Sequence, residues 1–240
     1  MTQTSYSANG ADAVPYCKSL QSLLRKGPDV VGVDWMGDRD TARLAVAAAT
    51  DGRWVYACMN AAAMADMADR WTELAGETGL AWDVTAAALC QCLVRTICPA
   101  CKMPYRPGKE LFAKFNIAAT NVGTFYRPTG QVTDKQGRSA VCQRCQGTGY
   151  EGRTAVFEGA AVGMQTRKEL QSAGTGAERV AAMRRAGMKY LQEVAIDKAV
   201  AGTISIHEII ERLKTPILFI GVFMAFFSVF LPKKKNARAV

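Results

Sequence analysis

Apolar positions in the first third of the chain alternate between helical spacing and short unbroken runs. Leu20, Leu23 and Leu24 predict a short helix that stops before Gly27-Pro28, because proline biases the residue before it away from helical geometry. Val30 to Trp35 is a β-branched run expected as a buried strand, with an acid near its end. Asp38 is placed to cap a helix with apolar positions at Ala42, Ala45, Val46 and Ala49, and Gly52 closes it before a second strand, Trp54 to Met59. Strand, helix, strand in that order implies a parallel α/β layer. Ala61 to Ala75 and Val84 to Ile97 are expected as further helices, the second leading into Cys98.

The pattern then breaks up. Pro104, Pro107, Gly108, Gly123, Pro128, Gly130 and Gly137 punctuate a loop-rich stretch with one short helix expected near Leu111 to Phe115. Gly147 to Tyr150 is expected as a tight turn and Thr154 to Glu158 as a strand. Helical spacing returns with Met188, Leu191, Val194, Ala195 and Ala199 up to Gly202, and Ser205 with Glu208 has the form of a capping box opening a last helix that carries Ile206, Ile209, Ile210 and Leu213. Residues 1–14 are polar and aperiodic, and are expected as a loose tail.

One run stands apart. Pro216 to Leu231 contains no charged residue and is followed by Lys233, Lys234, Lys235 and Arg238, the signature of a membrane-anchoring helix with a basic tail at the lipid surface. As a helix it would reach about 25 Å, the short end of what crosses a hydrocarbon core. The positive-inside rule would hold the basic tail in the cytoplasm. The absence of an export signal and the thiol chemistry below favour a cytoplasmic soluble domain instead, giving a single-pass protein with a C-terminal anchor.

With 240 residues and 49% hydrophobic content, the chain can bury one substantial core plus a small additional unit. The formal charge of +9 raises nucleic acid as a partner. Basic and acidic residues are interleaved over most of the chain, however, so no nucleic-acid interface is expected.

The candidate chemistry lies in the cysteines. Cys98/Cys101 and Cys142/Cys145 form two Cys-x-x-Cys pairs, a spacing that puts two thiolates on one ion, so that two pairs complete a tetrahedral shell of the structural zinc type. A closed four-thiolate shell leaves no position for water or substrate, so its role is to staple the fold. Two disulfides or a redox dithiol are the rival readings, and a reducing compartment disfavours both. Cys17, Cys58, Cys90 and Cys92 lack such spacing and are expected as small core residues. His207, the only histidine, is expected on a helix surface.

These elements together resemble the C-terminal half of the ATPases of type II secretion and type IV pilus assembly. Leu23 to Val31 is similar to the approach to that family's Walker B strand, and Asp38-Arg39-Asp40-Thr41-Ala42 to the segment after it. Gln91, Leu93-Val94-Arg95 and Cys98-Pro99-x-Cys101 resemble its first metal knuckle. The second knuckle, Cys142-x-x-Cys145-x-x-Thr148-Gly149-Tyr150-x-Gly152-Arg153 followed by Phe157-Glu158, matches nearly position by position. Gly187-Met188, Leu191 and Gly202-Thr203-Ile204-Ser205 extend the likeness toward residue 213.

The resemblance implies an α/β fold: a truncated RecA-like three-layer remnant with a Cys₄ zinc-binding subdomain, C-terminal helices and one transmembrane helix. The boundaries that follow are a tail at 1–16, the remnant at 17–96, the zinc subdomain at 97–158, a helical region at 159–214, the membrane helix at 215–232 and a basic tail at 233–240.

The family's chemistry does not carry over to these residues. No Gly-x-x-x-x-Gly-Lys-Ser/Thr occurs in the chain. Where the family has Gly-Glu-x-Arg-Asp, this chain has Asp34-Trp35-Met36-Gly37-Asp38, and the family's box histidine aligns with Asn60. Phosphoryl transfer depends on positioned charge around the phosphates and attacking water. No catalytic residue, no ATP and no enzymatic activity are therefore expected, although Asp34 would suit Mg²⁺ if another chain supplied a phosphate loop. The expected role is a non-catalytic scaffold in an integral membrane complex, touching lipid through 216–231 and the basic tail. Alternatives are one half of a split secretion or pilus ATPase, and a structural subunit of a respiratory or photosynthetic complex.

Overall fold

The computed structural model describes residues 16–108 and 124–213, and the backbone of 224–227. The expected tail at 1–14, the helix near Leu111 to Phe115 and the basic tail lie outside the described residues. The chain divides into two units, one of residues 1–90, 159–188 and 220–240, the other of 91–158 and 189–219. The stretch 159–214 is thus shared between them.

In the first unit, α1 (Tyr16–Leu24) precedes β1 (Val30–Val33), and α2 (Arg39–Thr50) carries the chain to β2 (Trp54–Ala57), which pairs with β1 in parallel, Val31 opposite Val55. The Asp38 carboxylate fixes the start of α2 by accepting from Thr41 N and Thr41 Oγ1, each at 2.8 Å, which satisfies a helix-terminal donor. Ala42, Ala45, Ala48, Ala49 and Val46 are buried, so α2 packs through small side chains. Exposure alternates along both strands, with Val31, Val33, Val55 and Ala57 buried but Val30 58% and Trp54 41% exposed. That alternation marks β1 and β2 as half-buried strands.

α3 (Met64–Ala75) and α4 (Thr78–Asp83) bury Trp71 and Trp82 completely. Trp71 Nε1 donates to Ala81 O (3.3 Å) and Thr85 Oγ1 (3.2 Å), and Trp82 Nε1 to Thr72 Oγ1 (3.1 Å), so each buried indole has its polar partner. α5 (Met164–Ser172) and α6 (Gly176–Arg185) complete the unit, α6 opening on a Thr175/Glu178 capping box. Gly176 lies so close to α3 that a Cβ there would sit 2.2 Å from Ala65 O.

The sequence predicts a helix over Val84 to Ile97, and the structure has a strand, β3 (Thr85–Ile97). Ala88, Cys90, Cys92 and Val94 are buried at every second position. The period is that of a strand; Leu89, Gln91 and Leu93 between those positions supply a helical propensity that burial overrides. β8 (Tyr150–Ala161) extends the expected strand at both ends and lies beside β3 in a five-stranded sheet ordered β1-β2-β9-β3-β8, β9 being Met224–Phe227.

Nor is the expected membrane helix over 215–232 found among the described residues. Met224–Phe227 form β9, antiparallel to both β2 and β3, while 215–223 and 228–232 lie outside the described residues. Among the described residues no helix is long and apolar enough to cross a membrane. The reason is an ambiguity of pattern: a strand in mid-sheet reads as the same uninterrupted apolar run that a lipid-facing helix needs.

In the second unit, α7 (Leu191–Val200) and α8 (Ile206–Leu213) pack a core of Cys92, Val94, Phe125, Val156, Ala195, Ala199, Ile204, Ile206 and Ile209. Ser205 caps α8 as expected, accepting from Glu208 N at 3.1 Å. Glu208 itself does not reach back. Its fully buried carboxylate instead accepts from Arg95 N (2.9 Å) and Arg95 Nε (2.8 Å), while the Arg95 guanidinium stacks 4.1 Å above the Tyr150 ring. Burial alone would raise the Glu208 carboxyl, but the hydrogen bonds and charge of Arg95, with Arg212 behind them, hold it below its ordinary value.

Candidate metal centre

β3 hands the chain directly to the first cysteine pair. After Ile97 N donates to Thr203 O (2.9 Å), the backbone turns, Lys102 N bonding back to Cys98 O at 3.1 Å, and continues as β4 (Lys102–Tyr105), antiparallel to β5 (Phe125–Pro128). The second pair follows the hairpin of β6 (Gln131–Thr133) and β7 (Ser139–Val141), whose turn is organised by the Asp134 carboxylate accepting from Gln136 N, Arg138 N and Arg138 Nε. Cys142 N donates to Gly130 O (2.9 Å), Gly147 N to Cys142 O (3.3 Å) and Thr148 N to Cys145 O (3.1 Å). The two turns are tied together by Cys98 N, which donates to Gly149 O at 2.9 Å.

Glycine is required at two of these positions. Gly149 has φ +75 and a Cβ there would lie 2.6 Å from Pro128 Cβ; Gly130 has φ +68 and a Cβ would lie 2.2 Å from Gly147 O. Backbones meet there at distances no side chain permits.

The outcome is that Cys98, Cys101, Cys142 and Cys145, all buried, have their sulfurs within 4.8 Å of one another. Cys98 Sγ lies 3.9 Å from Cys142 Sγ, and Cys101 Sγ 3.6 Å from Cys145 Sγ. A tetrahedral ion with metal–sulfur bonds of about 2.3 Å would set sulfurs roughly 3.8 Å apart. The pocket therefore has metal-site dimensions, and none of the four thiols is in a disulfide. Burial works to raise the Cys145 thiol, yet Gly149 N, donating to its sulfur at 3.2 Å, with Gly147 N and the neighbouring thiols, brings it down to about 7. Cys101 is pushed up to about 12 by burial and by the Cys145 thiol. The Gly149 donor is a contribution that cysteine spacing does not reveal; the Thr148-Gly149-Tyr150 turn in the sequence is its only trace.

The other singled-out residues lie elsewhere. Cys90 and Cys92 are core residues as expected, but Cys17 and Cys58 are only half-buried. Asp34, at the end of β1, accepts from Tyr16 Oη at 2.6 Å, and Trp35 beside it is 44% exposed. A Cβ on Gly37 would strike the Trp35 ring at 2.4 Å. At the end of β2, Asn60 O accepts from Arg70 Nη1 at 3.1 Å. His207 is on the α8 surface as expected, although it does have an acidic neighbour, Glu211, 3.5 Å away.

Comparison with known proteins matches residues 1–211 to the family model described as "Type II/IV secretion system protein". The type IV pilus assembly ATPase PilB of Thermus thermophilus is 29% identical over 209 residues, covering 85% of this chain and 22% of the relative. The type II secretion system ATPase E of Vibrio cholerae is 29% identical over 199 residues, covering 83% of this chain and 37% of the relative. The chain thus spans between about a fifth and two fifths of the length of these relatives. Among solved structures, the Legionella pneumophila ATPase DotB superposes with a TM-score of 0.51 over 82% of this chain and 42% of its own, at 18% identity, a likeness of fold.

Proposed function

Because the chain belongs to the type II/IV secretion system protein family, we propose that it is a non-catalytic subunit of a larger assembly, keeping the family's fold and a structural zinc ion on Cys98, Cys101, Cys142 and Cys145. The observation that carries this reading is the end of β1. Ligands of α/β sheets gather at the carboxyl ends of the strands, and there the two acids are engaged in structural bonds, Asp34 with Tyr16 and Asp38 with the first turn of α2. By the resemblance, Trp35 stands where the family has a glutamate, and an indole cannot orient or deprotonate an attacking water. Four thiols clustered around one point would close a tetrahedral shell on an ion, which supports a stapling role over Lewis-acid chemistry.

Purification of the chain with its native partners, followed by ATPase assay, tests the reading; no turnover above background is expected, and about one zinc per chain is expected by elemental analysis. Asp34, an acid just past the end of β1, supports one second reading, a split ATPase in which another chain supplies the phosphate loop. That reading requires turnover that appears with the partner and disappears in Asp34→Ala.

A further inference from the structure

In the first unit, α2 and the turn from α3 into α4 enclose a cavity of about 550 Å³, within the range of roughly 300–1,000 Å³ that small-molecule sites occupy. On the α2 side it is lined by one helical stripe, Arg43, Val46, Ala47 and Thr50, with Asp51 where the helix ends; residues three and four apart share a helix face. Ala75, Glu77 and Leu80 line the facing side. The middle of the cavity is apolar, with Val46 and Ala75 buried and Leu80 39% exposed. The charged side chains are exposed around it and do not neutralise one another. Arg43 Nη2 lies 3.8 Å from where a Cβ on Gly76 would be, one residue before Glu77. Even so, among the described residues neither Arg43 nor Glu77 has an ion pair or a side-chain hydrogen bond. Asp51 has only an exposed pairing with Arg53 at 3.3 Å.

A simple anion would meet Asp51 and Glu77 here, and a simple cation would meet Arg43, so neither matches the lining. A molecule that carries both charges does. Arg43 and Asp51 are eight positions apart along α2, about 12 Å at 1.5 Å per residue, close to the reach of three extended residues, about 10 Å. The C-terminal end of α2 adds a partial negative charge that favours a cation at the Asp51 end. We propose that this cavity binds a short apolar peptide of about three residues with both ends free. Its carboxylate lies on the Arg43 guanidinium, whose fork suits that group, its ammonium lies at Asp51, and its side chains cover Val46, Ala75 and Leu80. The site shares no residue with the end of β1 or with the four cysteines, so the inference is independent of whether the assembly hydrolyses ATP.

Calorimetric titration of the full chain with the synthetic tripeptide Leu-Ala-Leu tests it, alongside the N-acetylated tripeptide, which lacks the ammonium, and the tripeptide amide, which lacks the carboxylate. The free tripeptide is expected to bind, and each blocked form to bind about tenfold or more weakly, the loss of one charged hydrogen-bonding end. Arg43→Ala should weaken the free tripeptide by about tenfold and leave the amide's affinity unchanged. Asp51→Asn should likewise weaken the free tripeptide and leave the acetylated form unchanged. Both side chains are exposed, so each variant should melt with the natural chain, and the blocked peptides decide the matter on the natural chain alone if one does not. No binding of the free tripeptide up to about 10 mM overturns the proposal. So does equal affinity for the acetylated form or for the amide, which would assign the cavity to the end of a protein chain and not to a free peptide.

Discussion

Removing the zinc proposed for the four cysteines should unfold the second unit before the first. Cys98 and Cys142 are 44 positions apart in the chain, as are Cys101 and Cys145, so an ion shared by the four closes a loop of that length. Treated as a cross-link, closing such a loop removes about 4 kcal/mol of chain entropy from the unfolded state. The apolar core of this unit is small, a single cluster around Phe125 and Val156, so a loss of that size is a large fraction of the usual margin of 5–15 kcal/mol. For a unit on the order of 100 residues it corresponds to a fall in melting temperature of roughly 15 °C or more. Calorimetry with and without a chelator, alongside titration of reactive thiols, measures it. Two transitions are expected, with only one moved by chelation and the four thiols becoming reactive as it moves. A melting profile unaffected by chelation, with zinc absent and all four thiols accessible, would refute the argument.

Other outcomes follow from the same packing. Glu208→Gln should destabilise the second unit by about 3 kcal/mol, because the Arg95 guanidinium loses its buried counter-charge and one of the two accepting oxygens becomes an amide nitrogen that cannot accept; chemical denaturation measures this, and Arg95→Met in combination should recover part of it. Since the Glu208 carboxyl is held below its ordinary value, its contribution is present above the unfolded-state pKa and lost as pH falls through the folded value. An acid titration of stability should therefore be steeper in the natural protein than in Glu208→Gln. Gly176→Ala, whose Cβ would fall 2.2 Å from Ala65 O, should cost about 1–3 kcal/mol in the first unit by forcing α3 and α6 apart, read as a lower melting temperature of the transition that chelation leaves unmoved. Trp82→Phe should cost less than Trp82→Ala, whose total cost is about 3–5 kcal/mol, because phenylalanine loses the bond to Thr72 but leaves a smaller cavity.

How far the sequence reached depended on whether a residue's role was local. Asp38 capping α2 is fixed by neighbours within a few positions, and spacing alone exposes it. The four-cysteine cluster is long-range, but thiolate chemistry makes its two halves recognisable separately. β3 was misread because its burial period is carried by Ala88, Cys90, Cys92 and Val94, small residues whose intrinsic preference says little, so only the sheet packed against them decides. Glu208 shows the same limit from the other side. Three residues after Ser205 it satisfies the capping-box pattern, yet Arg95, 113 positions earlier, takes its carboxylate, and no local pattern encodes that partner.

The C-terminal run is the sharpest instance, since its hydropathy is a statement about the absence of water and not about what replaces it. Lipid and the interior of a sheet both exclude water, but they differ in what they offer the backbone. A membrane helix must satisfy every amide within itself, whereas a strand needs partners on each side, and β2 and β3 present such partners in the register Ala57–Ala225–Ala88. Hydropathy cannot separate the two environments; a backbone-directed change at Ala225 can, because proline breaks a ladder between strands at the cost of bonds that a side-chain substitution of equal apolarity leaves intact.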